Sequence, residues 1–254
     1  MKITILGTGT SSGVPVLTCD CSVCTSENPK DKRLRVSVLV QTDQLNIVID
    51  TGPDFRQQLL KQSIKKLDAV LFTHEHKDHT AGLDDVRPFN YLQGKQYMNI
   101  YGREQVLEQL KREFHYAFLE ESYPGVPLIH THIIENKPFL IENLEILPID
   151  VLHHKLPVFG FRIQDFTYIT DVNYISAKEK EKVKGTKLLI LDALQRTPHI
   201  SHFTLSQAID FAQEIGAEKT YLTHISHKMG LHNEVNSELP DGIELAYDGL
   251  QIHL

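Results

Sequence analysis

The apolar run Ala69-Val70-Leu71-Phe72 stops at Thr73-His74-Glu75-His76-Lys77-Asp78-His79. A short apolar run of this kind reads as a buried strand. The polar stretch then sits where a strand ends and a loop begins, a usual place for chemistry on an α/β scaffold. On extended backbone His74, His76 and Asp78 share one side, because side chains alternate with period two. His79, one residue on, can turn toward a second centre. Imidazole nitrogens with a carboxylate oxygen suit Zn, Mn or Fe. Crowded like this, the three histidines would repel one another if protonated, and the four groups would waste buried polarity if unpaired. A metal site accounts for them better than a solvated loop does.

The chain has 254 residues, 41% of them hydrophobic, enough for a sizeable core. Strands mix with helices along the whole length, with no linker, repeat or low-complexity segment, so 1–254 reads as one domain. No apolar run approaches a membrane span. The start, Met1-Lys2-Ile3-Thr4-Ile5-Leu6-Gly7, breaks at glycine too early for a signal peptide. These features predict a cytoplasmic protein with no membrane partner. The net charge of −7, with both signs mixed along the chain, argues against broad, salt-driven nucleic-acid binding.

Several strands are expected besides residues 69–72: 2–6, 36–40, 45–49, 96–101, 128–134, 138–141, 144–152, 159–163, 166–170, 187–191 and 220–223. Residues 244–247 and 250–253 read as a last hairpin around Asp248-Gly249. Helices are expected at 54–64, 83–92, 104–118 and 177–184. Another follows Thr204-Leu205-Ser206-Gln207, a Thr-x-x-Gln capping box, and stops at Gly216. The glycines of Gly7-Thr8-Gly9-Thr10-Ser11-Ser12-Gly13 permit close approach, but the stretch lacks the Gly-Lys-Ser/Thr ending of a phosphate loop.

Polar residues follow other apolar strands in the same way. They are Asp50, His154 with His153 beside it, Asp171, Asp192 and His224. Each alone is an ordinary turn former. Gathered at one edge they complete a metal site. Asp171 is then suited to bridging two cations, and Asp50 to bracing a ligand histidine from behind. Cys19, Cys21 and Cys24 make a poor disulfide framework, being odd in number and packed within one loop. They suit tetrahedral zinc, with His227 as fourth ligand. His227 lies three residues after His224, an odd offset that sends the two rings to different metals. His202, just before the capped helix, can help hold an anion such as phosphate. His115, His130, His132, His199, His232 and His253 read as ordinary.

The order His74-x-His76-x-Asp78-His79, then His154, Asp171 and His224, resembles the metallo-β-lactamase superfamily of two-metal hydrolases. The resemblance implies an αββα four-layer sandwich, two mixed β-sheets flanked by helices, with the metals at one edge. His74, His76 and His154 would hold one metal and Asp78, His79 and His224 the other, with Asp171 between them. The resemblance favours His154 over His153. Closer still, the chain is similar to the PhnP-type phosphodiesterases of the carbon–phosphorus lyase pathway. Those share the Cys-x-Cys-x-x-Cys loop, the His224-x-x-His227 pair and the spacing from His154 to Phe159-Gly160-Phe161. That similarity implies one structural Zn (Cys19, Cys21, Cys24, His227), two active-site cations (Mn or Zn) and a homodimer. It implies hydrolysis of a small or cyclic phosphodiester, such as a phosphoribosyl cyclic phosphate, by a hydroxide held between the cations. Asp78, His202 and Asp171 would be the catalytic residues.

Three rival readings exist. A tRNA 3′-processing ribonuclease usually carries a long arm between the third histidine and the bridging aspartate, where this chain has room only for a hairpin. A thioester or lactone hydrolase would use the same metals. A metal-dependent scaffold would hold metal without turnover.

Overall fold

The computed structural model describes residues 1–119 and 123–254. The first sheet contains β1 (Lys2–Gly7), β2 (Ser37–Gln41), β3 (Asn46–Ile49), β4 (Ala69–Leu71), β5 (Met98–Gly102) and β6 (Ile129–Ile133). The second contains β7 (Phe139–Ile141), β8 (Leu144–His153), β9 (Leu156–Ile163), β10 (Phe166–Ile169), β11 (Tyr174–Ile175), β12 (Leu188–Asp192), β13 (Lys219–Thr223) and β14 (Ile243–Leu245). The last strand, β15 (Gln251–His253), returns to the first sheet. The strand orders are β15-β1-β2-β3-β4-β5-β6 and β11-β8-β9-β10-β12-β13-β14, with β7 paired to β8. Both sheets are mixed. Pairing is parallel from β3 to β6 in one and from β10 through β12 and β13 to β14 in the other.

The layers follow from strand alternation. Ile3, Ile5, Val38, Val40, Ile47 and Ile49 meet Phe159, Phe161, Tyr168 and Ile190 between the sheets. Leu189 and Leu191, one residue either side of Ile190, face outward with Val151 and Leu222 onto Ala208, Phe211, Ala212 and Ile215 of the helix Leu205–Ile215. On the opposite outer face Leu39, Val48, Val70 and Ile100 pack on Val106, Leu107 and Leu110 of the helix Glu104–Glu113. Central strands covered on both faces need unbroken apolar sequence, hence runs such as residues 188–191. Burying each such side chain is worth roughly 1.5–3 kcal/mol. This is the αββα sandwich expected.

The capping box forms as expected: Thr204 accepts from the Gln207 N–H, the Gln207 side chain accepts from the Thr204 N–H, and Gly216 closes the helix at φ 69°. Two expectations fail locally. Residues 83–92 form a 3₁₀ turn, Leu83–Val86, and then a new helix, Arg87–Leu92. Pro88 has no N–H to continue one helix through that point. Residues 243–253 are not a hairpin. β14 pairs with β13 and β15 with β1, so the chain crosses between sheets at Tyr247-Asp248-Gly249. The helix His232–Glu238 had no clear signal in the sequence.

A buried polar cluster fastens that crossing. Arg33 Nη1 donates to Thr8 Oγ1 and the Ala246 carbonyl, each at 2.8 Å, and Nη2 lies 3.1 Å from His232 Nδ1. Asp248 accepts from Thr8 Oγ1 and the Leu34 N–H, and Asp31 from the His232 N–H, each at 2.7 Å. Burial, with the charges of Arg33 and Lys30, holds His232 down at about 4. A depressed value stabilises the fold above the unfolded pKa near 6.5, and that contribution is lost as pH falls toward 4. Burial raises Asp248 to about 6, which acts in the opposite sense below that pH. The expected result is therefore a difference. On going from pH 7 to pH 5, wild type should lose about 2 kcal/mol of unfolding free energy relative to His232→Asn, measured by denaturant titration. Equal pH responses would contradict the assignment.

Candidate active site

The site forms where the parallel strands of both sheets end. In the first sheet β3 and β4 lie in register, Ile49 beside Leu71, so Asp50 and the loop at Thr73 emerge together. In the second, Ile169 lies beside Leu191 and Asp192 beside Thr223, so Asp171, Asp192 and His224 emerge side by side. Asp50, Asp171 and His224 all turn at positive φ, 64°, 52° and 57°. Such backbone is costly for residues with a Cβ and persists where surrounding structure enforces it. Gly52 serves the same edge: a Cβ there would lie 2.1 Å from the Asp78 carbonyl oxygen.

Two groups of side chains flank Asp171. The rings of His74 and His76 lie 4.6 Å apart, with the His153 ring 5.8 and 5.3 Å from them. On the other side His79 Nε2 is 3.3 Å from Asp78 Oδ2, and His224 Nε2 is 3.8 Å from the same oxygen. Asp171 Oδ2 is 3.2 Å from His79 Nε2, and its Oδ1 is 3.3 Å from His224 Nε2. His153 Nδ1 is 4.0 Å from Asp171 Oδ1.

Hydrogen bonds behind the rings set their tautomers. Asp50, fully buried, accepts from the Thr73 N–H, from Thr73 Oγ1 and from His79 Nδ1 at 2.9, 2.8 and 2.7 Å. Thr73 Oγ1 in turn takes His74 Nδ1 at 3.0 Å. One carboxylate therefore braces two histidines, His79 directly and His74 through Thr73, and turns both Nε2 atoms inward. His153 Nδ1 donates to the Ser201 carbonyl at 2.9 Å, leaving its Nε2 free. The Nε2 atoms of His74, His79 and His224 are buried with no hydrogen-bond partner. Buried polar atoms rarely lack partners, and an imidazole–carboxylate donor set of this kind fits divalent cations.

The electrostatics agree. Burial alone would raise the Asp171 carboxyl, but the neighbouring His224 and His79 outweigh it and hold it well below the usual range. Burial opposes charge on His79, yet Asp171, Asp78 and Asp50 hold its proton on, well above the ordinary value. Burial and the neighbouring His79 push His74 well down. The carboxylates thus keep a proton where a cation would sit.

The expectation of His154 as a ligand is corrected. β8 runs through His153, which pairs with Leu156, so His154-Lys155 is the hairpin turn. His154 has φ 57° and is exposed, and its N–H goes to Asn173 Oδ1 at 2.6 Å. His153 continues the alternation of buried Ile149 and Val151 and enters the site. His153→Ala should lower activity about 10- to 100-fold and weaken metal loading, whereas His154→Ala should do neither. Assay and metal analysis of both variants decide it, and the reverse result would restore His154.

Asp192, expected at the same edge, stands behind two of the histidines. It is fully buried; Oδ1 lies 3.2 Å from His202 Nδ1 and 3.6 Å from His224 Nδ1, and Oδ2 accepts from the Phe203 N–H at 3.1 Å. His202 Nε2 points at Asp171 Oδ1, 3.9 Å away. Burial resists charge on His202, but Asp192 carries it up to about 9.

The second cluster lies apart from these residues. Cys19, Cys21 and Cys24 Sγ lie 3.2, 3.5 and 3.5 Å from His227 Nδ1. Tetrahedral zinc, with Zn–S near 2.3 Å and Zn–N near 2.0 Å, puts S and N about 3.5 Å apart. The Cys24 backbone hydrogen bond leads in lowering the Cys21 thiol to about 6, while burial pushes Cys24 up to about 11. The cluster joins the N-terminal loop to the loop after β13. The glycine loop serves packing too: a Cβ on Gly7 would lie 2.0 Å from the Arg35 carbonyl oxygen.

Comparison with known proteins places the fold in a family. Residues 45–225 match the model of the β-lactamase superfamily domain. A protein of Porphyromonas gingivalis named octanoyltransferase is 41% identical over 99% of this chain, which covers 51% of it. A ribonuclease Z of Prochlorococcus marinus is 30% identical over 65% of this chain and 50% of its own length. The chain thus spans about half the length of the curated relatives it matches. The crystal structure of a diphosphatase from the PhnP family superposes with a TM-score of 0.93 at 40% identity, covering 100% of this chain and 97% of that one. The chain belongs to the β-lactamase superfamily and, by this full-length similarity, to the PhnP family within it.

Proposed function

We propose that this protein is a metal-dependent phosphodiesterase acting on a small or cyclic phosphodiester. The observation that carries the reading is the pairing of two donor groups around Asp171 with a braced, protonated histidine, His202, beside them. His74, His76 and His153 would hold one cation and Asp78, His79 and His224 a second, with Asp171 shared. Cations seated there would neutralise a phosphodiester and lower the pKa of a water near it. Mn or Zn suits the nitrogen and oxygen donors, and Zn suits the thiolates. Asp50 orients His79 directly and His74 through Thr73. Asp192 fixes His202 with Nε2 toward the cluster, where its proton can go to a phosphate oxygen or to the leaving oxygen.

Two other readings have less support. Between His153 and Asp171 the chain makes only the β9–β10 hairpin, with no space for a tRNA-gripping arm. All three cysteines lie with His227, so the active-site cluster holds no thiol for acyl transfer through a cysteine, while a thioester or lactone hydrolase on the same metals is separated by the assay. The test is a substrate panel on metal-loaded protein: bis(p-nitrophenyl) phosphate, a ribose cyclic phosphate, a tRNA precursor, an octanoyl thioester and a lactone. The small diesters should be hydrolysed, chelation should stop the reaction, and added metal should restore it. Turnover of the thioester or lactone alone would overturn the proposal. So would full metal loading with no hydrolysis of any of them.

A further inference from the structure

Arg103 stands at the end of β5, at the sheet edge that carries the site. It caps the helix Glu104–Glu113, and its carbonyl takes the Leu107 N–H at 3.1 Å. β5 also holds the strand that feeds the His74–His79 loop. Leu71 lies beside Tyr101, and the Phe72 N–H donates to the Tyr101 carbonyl at 2.8 Å. The backbone of Arg103 is therefore fixed to the first sheet, next to the start of that loop.

Its guanidinium reaches the second sheet. There Asp150 of β8 and Phe159 of β9 are cross-strand partners. Arg103 Nη2 donates to Asp150 Oδ1, and the guanidinium carbon lies 3.7 Å from the centroid of the Phe159 ring. One side chain thus holds both members of the pair, one by charge and one by its ring face. Each member leads to the site. The Phe159 N–H donates to the Thr73 carbonyl at 3.0 Å, one residue before His74. Asp150 lies three residues before His153 on the same strand. Asp150 is itself held: Oδ2 accepts from Asn136 Nδ2, and its N–H donates to Glu179 Oε2, each at 2.8 Å. Glu179 is buried and pairs with Lys182 at 2.8 Å.

This corner bears on one group of donors. His74 and His76 come from the first sheet and His153 from the second, so the spacing of their rings depends on how the sheets are tied here. His224 is tied to the first sheet by another route, the Ile225 N–H on the Thr8 carbonyl at 2.8 Å. We propose that Arg103 is a positioning residue for the His74–His76–His153 group, setting the separation of those rings and with it the affinity of one of the two cations. This rests on the two-cation reading of the site, not on which ester is cleaved.

The test measures cation binding, so it does not depend on turnover. Protein stripped of active-site metal by mild chelation, with zinc kept at the cysteine cluster, is titrated with MnCl2. Free Mn²⁺ is read by electron paramagnetic resonance. Arg103→Met should weaken one of the two Mn²⁺ equivalents by about 10- to 100-fold and leave the other unchanged. Arg103→Lys keeps the charge but lacks the planar fork, and should retain part of the affinity. Two backgrounds identify the position. In His224→Ala, Arg103→Met should weaken the remaining tight Mn²⁺ by its full factor; in His153→Ala it should add less than about twofold. Arg103→Lys carries the same comparisons if Arg103→Met does not fold. Equal weakening of both cations, wild-type affinity in the Arg103 variants, or an equal further loss in both backgrounds would each overturn the proposal. Wild type that takes up no Mn²⁺ would overturn it together with the two-cation reading. A selective loss in a protein that hydrolyses no diester would leave the role of Arg103 standing and remove only the phosphodiesterase reading.

Discussion

Asp171→Ala is expected to lower kcat/KM on a phosphodiester by about 10³-fold or more, a barrier increase of roughly 4 kcal/mol, in a protein that stays folded. Asp171 is 2% exposed, and its two oxygens approach His79 and His224, which arrive from different sheets. The carboxylate lies between the two donor groups, 3.2 and 3.3 Å from His79 and His224 on one side and 4.0 Å from His153 on the other. Removing it takes away the negative charge between the two donor groups proposed to hold cations, and the remaining imidazoles repel each other when protonated. The effect is therefore on metal loading as well as rate. Metal analysis should show loss from the carboxylate site and full retention at the cysteine cluster, which uses none of these residues. Asp171→Asn separates charge from shape: it fills the same volume, and it should fail almost as badly. Far-ultraviolet dichroism and a denaturation curve check the fold. Wild-type turnover in either variant would show that the carboxylate is not shared.

The sequence displayed most of this site because strand ends are visible as the boundary between apolar runs and polar residues. Residues 69–72 and 188–191 are covered on both faces, so nothing polar interrupts them until the edge is reached. That logic found Asp50, Asp171, Asp192 and His224 without any knowledge of which strands are neighbours. It stops short at His153, because the resemblance favours His154 over its neighbour. Ile149 and Val151 already marked the buried side of β8, and His153 continues it; His154 lies in a two-residue turn that no apolar pattern reveals. The tail misled for another reason. Asp248-Gly249 is good turn chemistry, and a turn does form, but it redirects the chain into the other sheet. Which partner a short strand chooses depends on distant residues, here Thr8 and Leu34 holding Asp248. The bracing of His202 by Asp192 is hidden likewise, since nine residues lie between them in sequence and the loop is folded back by the Leu194 N–H on the Phe203 carbonyl and the Phe203 N–H on the Val172 carbonyl.

His202→Ala should cost about 10²- to 10⁴-fold on a diester with a poor leaving group and far less on one with a nitrophenolate leaving group. The reasoning starts from Asp192. Its carboxylate, fully buried, has few options for satisfying its charge: the Phe203 N–H, His202 Nδ1 and, more distantly, His224. Holding a proton on His202 is the direct consequence, and the value of about 9 follows from it. Cations bound nearby would lower that value by repulsion, toward the range in which an imidazolium gives up its proton readily. A nitrophenolate departs without help, whereas an alkoxide must be protonated as the bond breaks, so only the second substrate reports the proton. The pH profile carries the same information. For the alkyl diester, the rate should fall as pH rises through the His202 pKa. In Asp192→Asn that limb should move to lower pH, because the group that raises the value has lost its charge. If His202 only binds a phosphate oxygen, both diesters should lose rate equally in His202→Ala, and the leaving-group dependence should match that of wild type. A single Brønsted series on the two proteins therefore separates proton donation from electrostatic positioning.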